Sequence, residues 1–434
     1  MPPPTRTRRS AADITPSARR LTGSLRDIGY DFQSALADVI DNSVAAGATR
    51  VDVEIVFDGA SSHVTIADNG CGMTEATLSE AVRFGSRREY QLNELGRYGL
   101  GLKTASISQC RSLTVLTRHA PARRIIHSRT LDIGHIEATD RWEVIDPPTG
   151  SVSFDLVDLL WESPGTIVVW EDLDRVLPGN PEGGWARRRL NQLATRASAY
   201  LGMVFHRFIE GDARQHPELV ITINGEKIAP WNPFAPMEEQ RTEMQPLSFE
   251  VPIGRTFSEV RLARYVLPPR GRFSSAGEFE RLSGPLKWNR QQGLYVYRAD
   301  RLIQYGGWSG IRAVDEHTKL ARASLDFDTD LDALFHINVA KMRVGLPPEV
   351  RTLLERPVHE LCHRADAAYR GDRSSPSTGS SKAEKTAGAL GADSREIGAA
   401  IITAALNCGE QDAIVKVMGN LRDAEPKLAR TLGW

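Results

Sequence analysis

A carboxylate and a carboxamide lie one helical turn apart near the start of the chain. They are Asp38 and Asn42, within the helix-patterned tract DVIDNS at residues 38–43. Because positions four apart share one face of a helix, both side chains can address the same ligand. An asparagine oxygen is a hard, neutral ligand for Mg²⁺, and a nearby carboxylate can orient or deprotonate an attacking water. The pair indicates metal-assisted phosphate chemistry, with an exposed polar helix face as the alternative.

A second tract, DNGCGM at residues 68–73, follows a predicted strand and combines a carboxylate with two glycines. Gly70 and Gly72 can adopt positive φ and let a ligand approach the backbone. A buried Asp68 that accepts from an amino group discriminates strongly, since a ligand without that donor leaves the charge unpaired. This tract, with Met73 at its end, predicts recognition of a ligand amino group, or else a simple turn.

A third tract, GRYGLGLKT at residues 96–104, leads a glycine-rich loop into a predicted helix. Backbone amides at a helix start, together with the helix dipole, attract anions. The loop lacks the Gly-Lys-Ser/Thr triplet of a Walker A sequence, and a threonine stands where a dinucleotide fingerprint has its third glycine. An anion site of another kind is therefore predicted at Gly96, Gly99 and Gly101.

Short strands must position these tracts. Alternating apolar residues predict a strand over Val51–Phe57, a turn at Asp58-Gly59 and a returning strand over His63–Ala67. Further predicted strands are Leu113–Thr117, Ile125–His127, Val152–Leu156 and Ile167–Trp170. With the helical segments between them, they predict an α+β sandwich around a largely antiparallel sheet over residues 17–215.

The rest of the chain divides by pattern and composition. A second, β-α domain is predicted over residues 216–370, beginning with a strand at Val220–Ile223 and a tight Asn224-Gly225 turn. Paired strands are predicted within it at Leu294–Tyr297 and Leu302–Tyr305. The remaining segments are a flexible arm at 1–16, a Ser/Gly-rich linker at 371–392 and a small helical tail at 393–434.

Composition favours a soluble protein in a reduced setting. The 434 residues suffice for two or three domains, and 41% hydrophobic with 25% charged residues is ordinary for a globular chain. No apolar run reaches the length of about 18 residues that a membrane span needs, so no membrane partner is expected. Four cysteines without a CxxC spacing argue against a disulfide framework or a zinc knuckle and favour a cytoplasmic location.

Charge is unevenly distributed along the chain. The formal net charge of −1 does not by itself predict nucleic-acid binding. Residues 250–325, however, hold thirteen Lys or Arg against seven Asp or Glu. This basic tract could face phosphate backbones, with a solvated surface offset by acidic neighbours as the alternative.

In their order and spacing, the three chemical tracts together resemble the GHKL ATPases, the group of DNA gyrase B, Hsp-type chaperones, histidine kinases and MutL. The resemblance implies a Bergerat-type ATP-binding α/β sandwich, ATP and Mg²⁺ as cofactors, and hydrolysis of ATP to ADP and phosphate. It extends to PGTIVVW at residues 164–170, which is similar to the Gly-Thr strand of these proteins. Most of residues 20–365 are covered, more specifically in the first half than in the second.

The resemblance implies a role for each matching residue. Asp38 takes the position of the general base, and Asn42 takes that of the Mg²⁺ ligand. Asp68 is the implied adenine-recognising carboxylate, supported by Thr166. The residues implied to shape the adenine pocket are Gly70, Gly72 and Met73, and those implied at the phosphates are Gly96, Gly99, Gly101, Leu102 and Lys103.

The continuation past Trp170 is similar to gyrase B, MutL and bacterial MORC-like proteins rather than to a histidine kinase. It implies a transducer-like second domain with a lysine that reaches the γ-phosphate, which in FHINVAKMR at residues 335–343 is Lys341. ATP binding would then favour a homodimeric clamp that hydrolysis reopens. By family analogy, the role is DNA-associated, in defence, restriction or repair, with DNA and other proteins of a multi-component system as partners.

The first tract contains two carboxylates, Asp38 and Asp41. The general-base position usually carries Glu, and Asp38 is one methylene shorter, so slower hydrolysis or a shifted water is expected. Asp41 should point away from both Asp38 and Asn42, because adjacent helix positions do not face the same way.

Two other functions stay open. One is a nucleotide-gated binding or chaperone-like module with little turnover, in which ATP merely sets the conformation. The other is a zinc peptidase, since His359, Glu360 and His363 satisfy the HExxH pattern on a predicted helix, although no third ligand is evident.

Overall fold

The structure, a computed structural model, describes residues 15–85, 101–119, 125–147, 154–179, 181–337, 344–374, 402 and 411–432. The chain forms two compact units, residues 1–374 and residues 375–434. The helices of the first unit are α1 (Ala18–Arg26), α2 (Phe32–Ala45), α3 (Glu75–Ala81), α4 (Gly101–Ile107), α5 (Ile133–Thr139), α6 (Phe154–Glu162), α7 (Gly184–Val204), α8 (His206–Ile209), α9 (Ala276–Leu282), α10 (Lys287–Gln291) and α11 (Pro348–Ser374). The second unit contains α12 (Gln411–Ala424) and α13 (Pro426–Leu432).

Two sheets organise the first unit. Their strands are β1 (Arg50–Val56), β2 (His63–Asp68), β3 (Ser112–Arg118), β4 (His127–Asp132), β5 (Gly165–Glu171), β6 (Val220–Ile223), β7 (Glu226–Lys227), β8 (Thr242–Ile253), β9 (Thr256–Val266), β10 (Gly293–Arg298), β11 (Arg301–Tyr305) and β12 (Ala321–Phe327). The first sheet has seven strands in the order β4-β3-β5-β2-β1-β6-β7, and the second has five in the order β11-β10-β12-β9-β8.

The first sheet supports the predicted chemical tracts. Alternation in β1 buries Val51, Val53 and Ile55 on one face, as a period of two residues requires. These side chains share one hydrophobic core with the apolar residues of α2 and α7. In this sheet, all neighbouring strands pair in antiparallel orientation except β1 and β6, which are parallel. The predicted α+β fold is confirmed.

Two predicted strands are placed differently by the structure. Val220–Ile223 (β6), assigned from the sequence to the second domain, pairs in parallel with β1 and belongs to the first sheet. A parallel neighbour needs a long crossover connection, and the segment containing α7 provides it. The predicted strand at Val152–Leu156 is wrong from Phe154 onward, because apolar residues at helical spacing make α6 there.

The second sheet has a core of its own. Its central strands, β10 and β12, are buried along their whole length and run parallel to each other. The predicted pair β10 and β11 is antiparallel and is joined by a two-residue turn at Ala299 and Asp300. Helix α11 contributes Val350, Leu354 and Leu361, among others, to the core under this sheet.

Several predictions concern segments that the structure covers only in part. The arm at 1–16 and the linker at 371–392 lie mostly outside the described residues, and α11 extends to Ser374. Among the described helices, none combines the length and the hydropathy needed to cross a lipid bilayer. The predicted domain boundaries as a whole stay predictions.

Candidate functional site

Helix α2 holds the first pair of chemical residues. The side chain of Asp31 caps the helix by accepting a hydrogen bond from the backbone N–H of Ser34 at 2.8 Å. Asp38 then lies on the buried face of the helix, and Asn42 lies exposed one turn later. The Asn42 Nδ2 donates to the Asp38 carbonyl at 2.9 Å, which leaves Oδ1 of the carboxamide as the atom that can accept or ligate.

The Asp38 carboxylate faces the start of α4. The Tyr30 hydroxyl donates to Asp38 Oδ2 at 2.7 Å. Burial, together with the Asp38 charge, raises the pKa of Tyr30 well above its usual value, so the phenol stays a donor. A Cβ built on Gly101, the first residue of α4, would lie 3.7 Å from Asp38 Oδ2. The end of the glycine-rich tract therefore lies in van der Waals range of the carboxylate.

An arginine from the second sheet also reaches α2. Arg301, on β11, lies with Nε 3.1 Å from Asp41 Oδ1 and with Nη2 4.0 Å from Asp38 Oδ1. The expectation that Asp41 points away from Asp38 is wrong, because the two residues are three apart and such positions are neighbours on a helix. Both carboxylates lie on the buried side of α2 and share one guanidinium.

Asp68 is held beside the C-terminal end of α2, where Ser43 contacts it. It ends β2, directly opposite Thr166 of β5. Its Oδ1 accepts from the backbone N–H of Gly70 at 2.9 Å and of Thr166 at 3.3 Å, and its Oδ2 accepts from the Ser43 hydroxyl at 2.8 Å. Burial raises the pKa of Asp68 above its ordinary value, while these three hydrogen bonds act in the opposite direction.

Two glycines allow the backbone to close around Asp68. Gly72 has φ +63°, and a Cβ there would lie 2.0 Å from the Arg118 carbonyl oxygen. A Cβ on Gly70 would lie 2.8 Å from the Ala46 Cβ. A side chain at either position would therefore force a shift, so the structure itself requires both predicted glycines, independent of any ligand.

A threonine that the sequence reasoning missed links these segments. Thr117, on β3, accepts from the Met73 N–H at 2.8 Å and donates to the Gly165 carbonyl at 2.9 Å. Its hydroxyl also lies 3.2 Å from that of Thr166. Met73 and Thr166, predicted to flank the same pocket, are thus joined through one buried hydroxyl.

Comparison with known proteins assigns this region. Residues 30–166 match the family described as Histidine kinase-, DNA gyrase B-, and HSP90-like ATPase. These residues form a GHKL ATPase domain. The matched range includes Asp38, Asn42 and Asp68 and ends at Thr166.

Curated relatives resemble the same part of the chain. Protein MICRORCHIDIA 5 of Arabidopsis thaliana is 33% identical over 137 residues, which are 30% of this chain and 19% of the relative. DNA mismatch repair protein MutL of Shewanella baltica is 32% identical over 139 residues, 30% of this chain and 21% of the relative. MutL of Escherichia coli O1:K1 is 30% identical over 139 residues, with the same coverage. The matched segment spans only about a fifth of these relatives.

The GHKL domain places Leu102 and Lys103 on the first turn of α4. Leu102 packs against the hydrophobic core. Lys103 is buried, and its Nζ donates to the Ala81 carbonyl at 2.8 Å. Burial lowers the pKa of Lys103 to about 8. Contact of Lys103 with phosphates stays a prediction, and this arrangement does not favour it. Gly96, Gly99 and Lys341 lie outside the described residues.

The donor set around α2 fits a magnesium nucleotide. The Asn42 Oδ1 is a neutral oxygen at the exposed edge of the helix, as a Mg²⁺ ion that keeps waters and phosphate ligands would require. Within the described residues, no group of three His, Cys, Asp or Glu could hold a metal by protein ligands alone.

The HExxH pattern has a structural explanation. Glu360 Oε2 accepts from Arg264 Nη1 at 2.9 Å, an ion pair between α11 and β9. Arg264 holds the pKa of Glu360 below its usual range. A general base for a metal-bound water would need that carboxylate free, so the geometry gives the peptidase alternative no support.

The basic tract at 250–325 does not form a uniform phosphate-facing surface. Arg264, Arg298, Arg301 and Arg322 are buried. Arg322 donates to the carbonyls of Pro233 and Leu282, both at 2.6 Å. Three of the more accessible arginines pair with acids, namely Arg261 with Glu259, Arg270 with Glu280 and Arg281 with Glu278. The excess of positive charge is thus largely used inside the fold or offset on its surface.

Proposed function

We propose that the GHKL domain binds Mg-ATP and hydrolyses it to ADP and phosphate. The observation that carries the proposal is that α2 connects both halves of such a site. Ser43 bonds the adenine-recognising carboxylate, Asp68, while Asp38 lies against the start of α4. Asp38 and Ser43 are five positions apart on α2, a rise of about 7.5 Å along the helix axis, so one nucleotide can reach both positions.

Each end has a defined task in this proposal. Asp68 accepts from the adenine amino group, held in position by the N–H groups of Gly70 and Thr166. Asn42 offers Oδ1 to Mg²⁺, which when bound neutralises charge on the phosphates. Asp38 orients the attacking water and takes its proton, and Tyr30 fixes the carboxylate through Oδ2.

Turnover is expected to be slow. Asp38 is one methylene shorter than the Glu that usually takes this position, so its carboxylate reaches less far toward an attacking water. This shorter side chain is the specific observation that favours the second candidate, a nucleotide-gated module in which ATP binding, rather than hydrolysis, sets the conformation. The two candidates share one binding site and differ only in the rate of the hydrolytic step.

The wider biological role rests on resemblance. Two relatives are named for DNA mismatch repair, and the sequence that follows Trp170 resembles the members of the group that carry a transducer domain. We infer a homodimerising clamp with a DNA-associated role in a cytoplasmic defence, restriction or repair system, in which Lys341 contacts the γ-phosphate. The basic tract supplies little support for DNA contact, because its arginines are largely buried or paired.

Mg²⁺-dependent ATP hydrolysis by the full chain, with and without duplex DNA, tests the proposal. Asp38→Ala should bind ATP but stall, and Asn42→Ala should lose the magnesium dependence of binding. Glu360→Gln is the matched control, since it alters a carboxylate of the HExxH pattern on α11 and should leave turnover unchanged. ATP binding without turnover would favour the nucleotide-gated module, and absence of ATP binding would overturn both candidates.

A further inference from the structure

The hairpin formed by β10 and β11 carries alternating charges that reach different parts of the first unit. Arg298 stays within its own region, donating to Asp332 from Nε at 2.6 Å and from Nη2 at 2.7 Å. Asp300 accepts from Arg207 Nη1, at the start of α8, at 3.0 Å. Arg301 points to α2 instead. The β10–β11 turn of the second sheet is therefore held against α8 and α2, two helices that share a core with the first sheet.

Arg301 makes the contact that matters for chemistry. It is almost completely buried, and its Nη1 donates to the Leu302 carbonyl at 3.0 Å. The remaining edge of the guanidinium faces the carboxylates of Asp41 and Asp38. A guanidinium is rigid and planar, so contacts along its edge fix the relative positions of the groups it touches. The second sheet thus determines where two α2 carboxylates lie.

The turn that presents Arg301 has an unusual backbone. Ala299 has φ +45° and Asp300 has φ +67°, where a two-residue hairpin turn usually takes Asn-Gly. Non-glycine residues keep such angles only where the surroundings hold them. The Asp300 contacts with Arg207 and with the backbone N–H of Arg214 at 3.0 Å supply that restraint. The hairpin tip is therefore held by ion pairs rather than by turn preference.

We propose that Arg301, anchored by its hydrogen bond to Asp41, is a positioning residue for ATP hydrolysis that holds Asp38 in its hydrolytic orientation. This inference rests on the proposed function of Asp38. Tyr30 engages one carboxylate oxygen of Asp38 and Arg301 lies beside the other, so the carboxylate cannot rotate without disturbing the hairpin. A shift of the β10–β11 hairpin relative to α2 would reorient the Asp38 carboxylate, the proposed general base, and would leave Asp68 in place.

A matched pair of arginines tests this inference. Arg301→Gln and Arg301→Lys remove the guanidinium that contacts α2. Arg298→Lys disrupts an equally buried ion pair on the neighbouring strand, one that does not reach α2. The measurements are kcat and KM for ATP, the affinity for a non-hydrolysable ATP analogue, and the melting temperature of each full-length variant. Arg301→Lys keeps the charge and serves as the milder variant if Arg301→Gln fails to fold.

The expected result is a loss confined to kcat. A misplacement of about 1 Å can reduce the rate on the order of 100-fold, so Arg301→Gln should lose at least tenfold in kcat, with analogue affinity within threefold of wild type. Arg301→Lys should lose less. Asp41→Asn should also lower kcat, and adding it to Arg301→Gln should cost little more, because both changes break the same contact. Arg298→Lys should lower the melting temperature alone.

Three results would overturn the inference. Arg301 variants could lose no more kcat than Arg298→Lys, could lose analogue affinity in parallel with kcat, or could combine additively with Asp41→Asn. In each case a wild type that hydrolyses ATP and an Asp38→Ala variant that stalls would leave the proposed function standing. A wild type without hydrolysis would overturn the proposed function and this inference together.

Discussion

The two ends of the proposed site differ in how their carboxylates are held: Asp68 lies beside the C-terminal end of α2, and Asp38 lies in the middle of that helix. Asp68 receives its hydrogen bonds from Gly70, Ser43 and Thr166, all within the GHKL domain and all inside or beside its motifs. Asp38 is contacted by Tyr30 and by Arg301, and the arginine belongs to another sheet. The contacts of Asp68, at the proposed recognition end, therefore lie within one domain, whereas those of Asp38, at the proposed hydrolytic end, include a residue from a second sheet.

This difference has a physical reason. A recognition contact must be available whenever ATP arrives, and a carboxylate satisfied by local N–H groups keeps one geometry. A hydrolytic carboxylate that shares a guanidinium with a distant sheet can respond to movement of that sheet. We therefore expect changes at the two ends to affect different kinetic constants.

The largest expected effect is at the hydrolytic end. Asp38→Asn keeps the shape of the side chain but removes the base, and general-base catalysis typically contributes about 10²–10⁴-fold. We expect kcat to fall by that factor in a steady-state ATPase assay, with nucleotide affinity retained. An equal fall in nucleotide affinity would remove the distinction between the two ends.

At the recognition end, Asp68→Asn should weaken binding rather than chemistry. A hydrogen bond to a charged group contributes roughly 1.5–3 kcal/mol, so the dissociation constant for ATP should rise by about 10- to 100-fold. Titration with a fluorescent ATP analogue measures it, and kcat at saturating ATP should stay within a few-fold of wild type. An unchanged dissociation constant for ATP would show that Asp68 does not contact the adenine.

A smaller effect tests whether Lys103 belongs to the hydrolytic end. The pKa of Lys103 is lowered to about 8 by burial, whereas an unfolded lysine has a pKa near 10.4, about the usual value. Between these values the unfolded state binds more protons, so stability should rise as pH increases from about 8 to about 10. Lys103→Met should abolish this rise in urea unfolding and should leave ATP affinity unchanged. A marked loss of affinity would instead return Lys103 to the phosphate site.

The smallest expected effect concerns the hairpin that carries Arg301. Ala299→Gly relieves a positive φ at the cost of more backbone entropy, and the net gain in free energy of unfolding is about 0.5 kcal/mol. Thermal and urea unfolding measure it, with Gly254→Ala, at φ +59° in the β8–β9 turn, as an oppositely directed control. Destabilisation by Ala299→Gly would mean that the turn is not strained.

The local geometry around Asp68 could be inferred from the sequence better than the contacts of Asp38. Asp68, Gly70 and Gly72 lie in one short tract, and their requirements for local geometry can be inferred from residue type. The Arg301–Asp41 contact joins residues 260 positions apart, and no spacing rule connects them. Thr117 was missed for a similar reason, because a threonine inside a strand resembles any other strand residue until its neighbours are known.

The fold was predicted in class but not in every connection. The α+β sandwich followed from alternating strands, yet β6 was assigned to the wrong sheet, because its parallel partner β1 lies far away in sequence. The role of the basic tract stayed open in the sequence for a different reason. Counting charges cannot reveal that Arg298 and Arg322 are buried inside the second half of the first unit.

The most direct test of the two-ended account measures binding and hydrolysis separately in the same two variants. Single-turnover hydrolysis and analogue affinity would be determined for Asp38→Asn and Asp68→Asn, in the full chain with Mg²⁺. We expect Asp38→Asn to bind the analogue normally without hydrolysing ATP, and Asp68→Asn to bind it weakly but to hydrolyse the ATP that it binds. If both variants lost analogue affinity, or both kept it and lost hydrolysis, the division of the site into a recognition end and a hydrolytic end would be wrong.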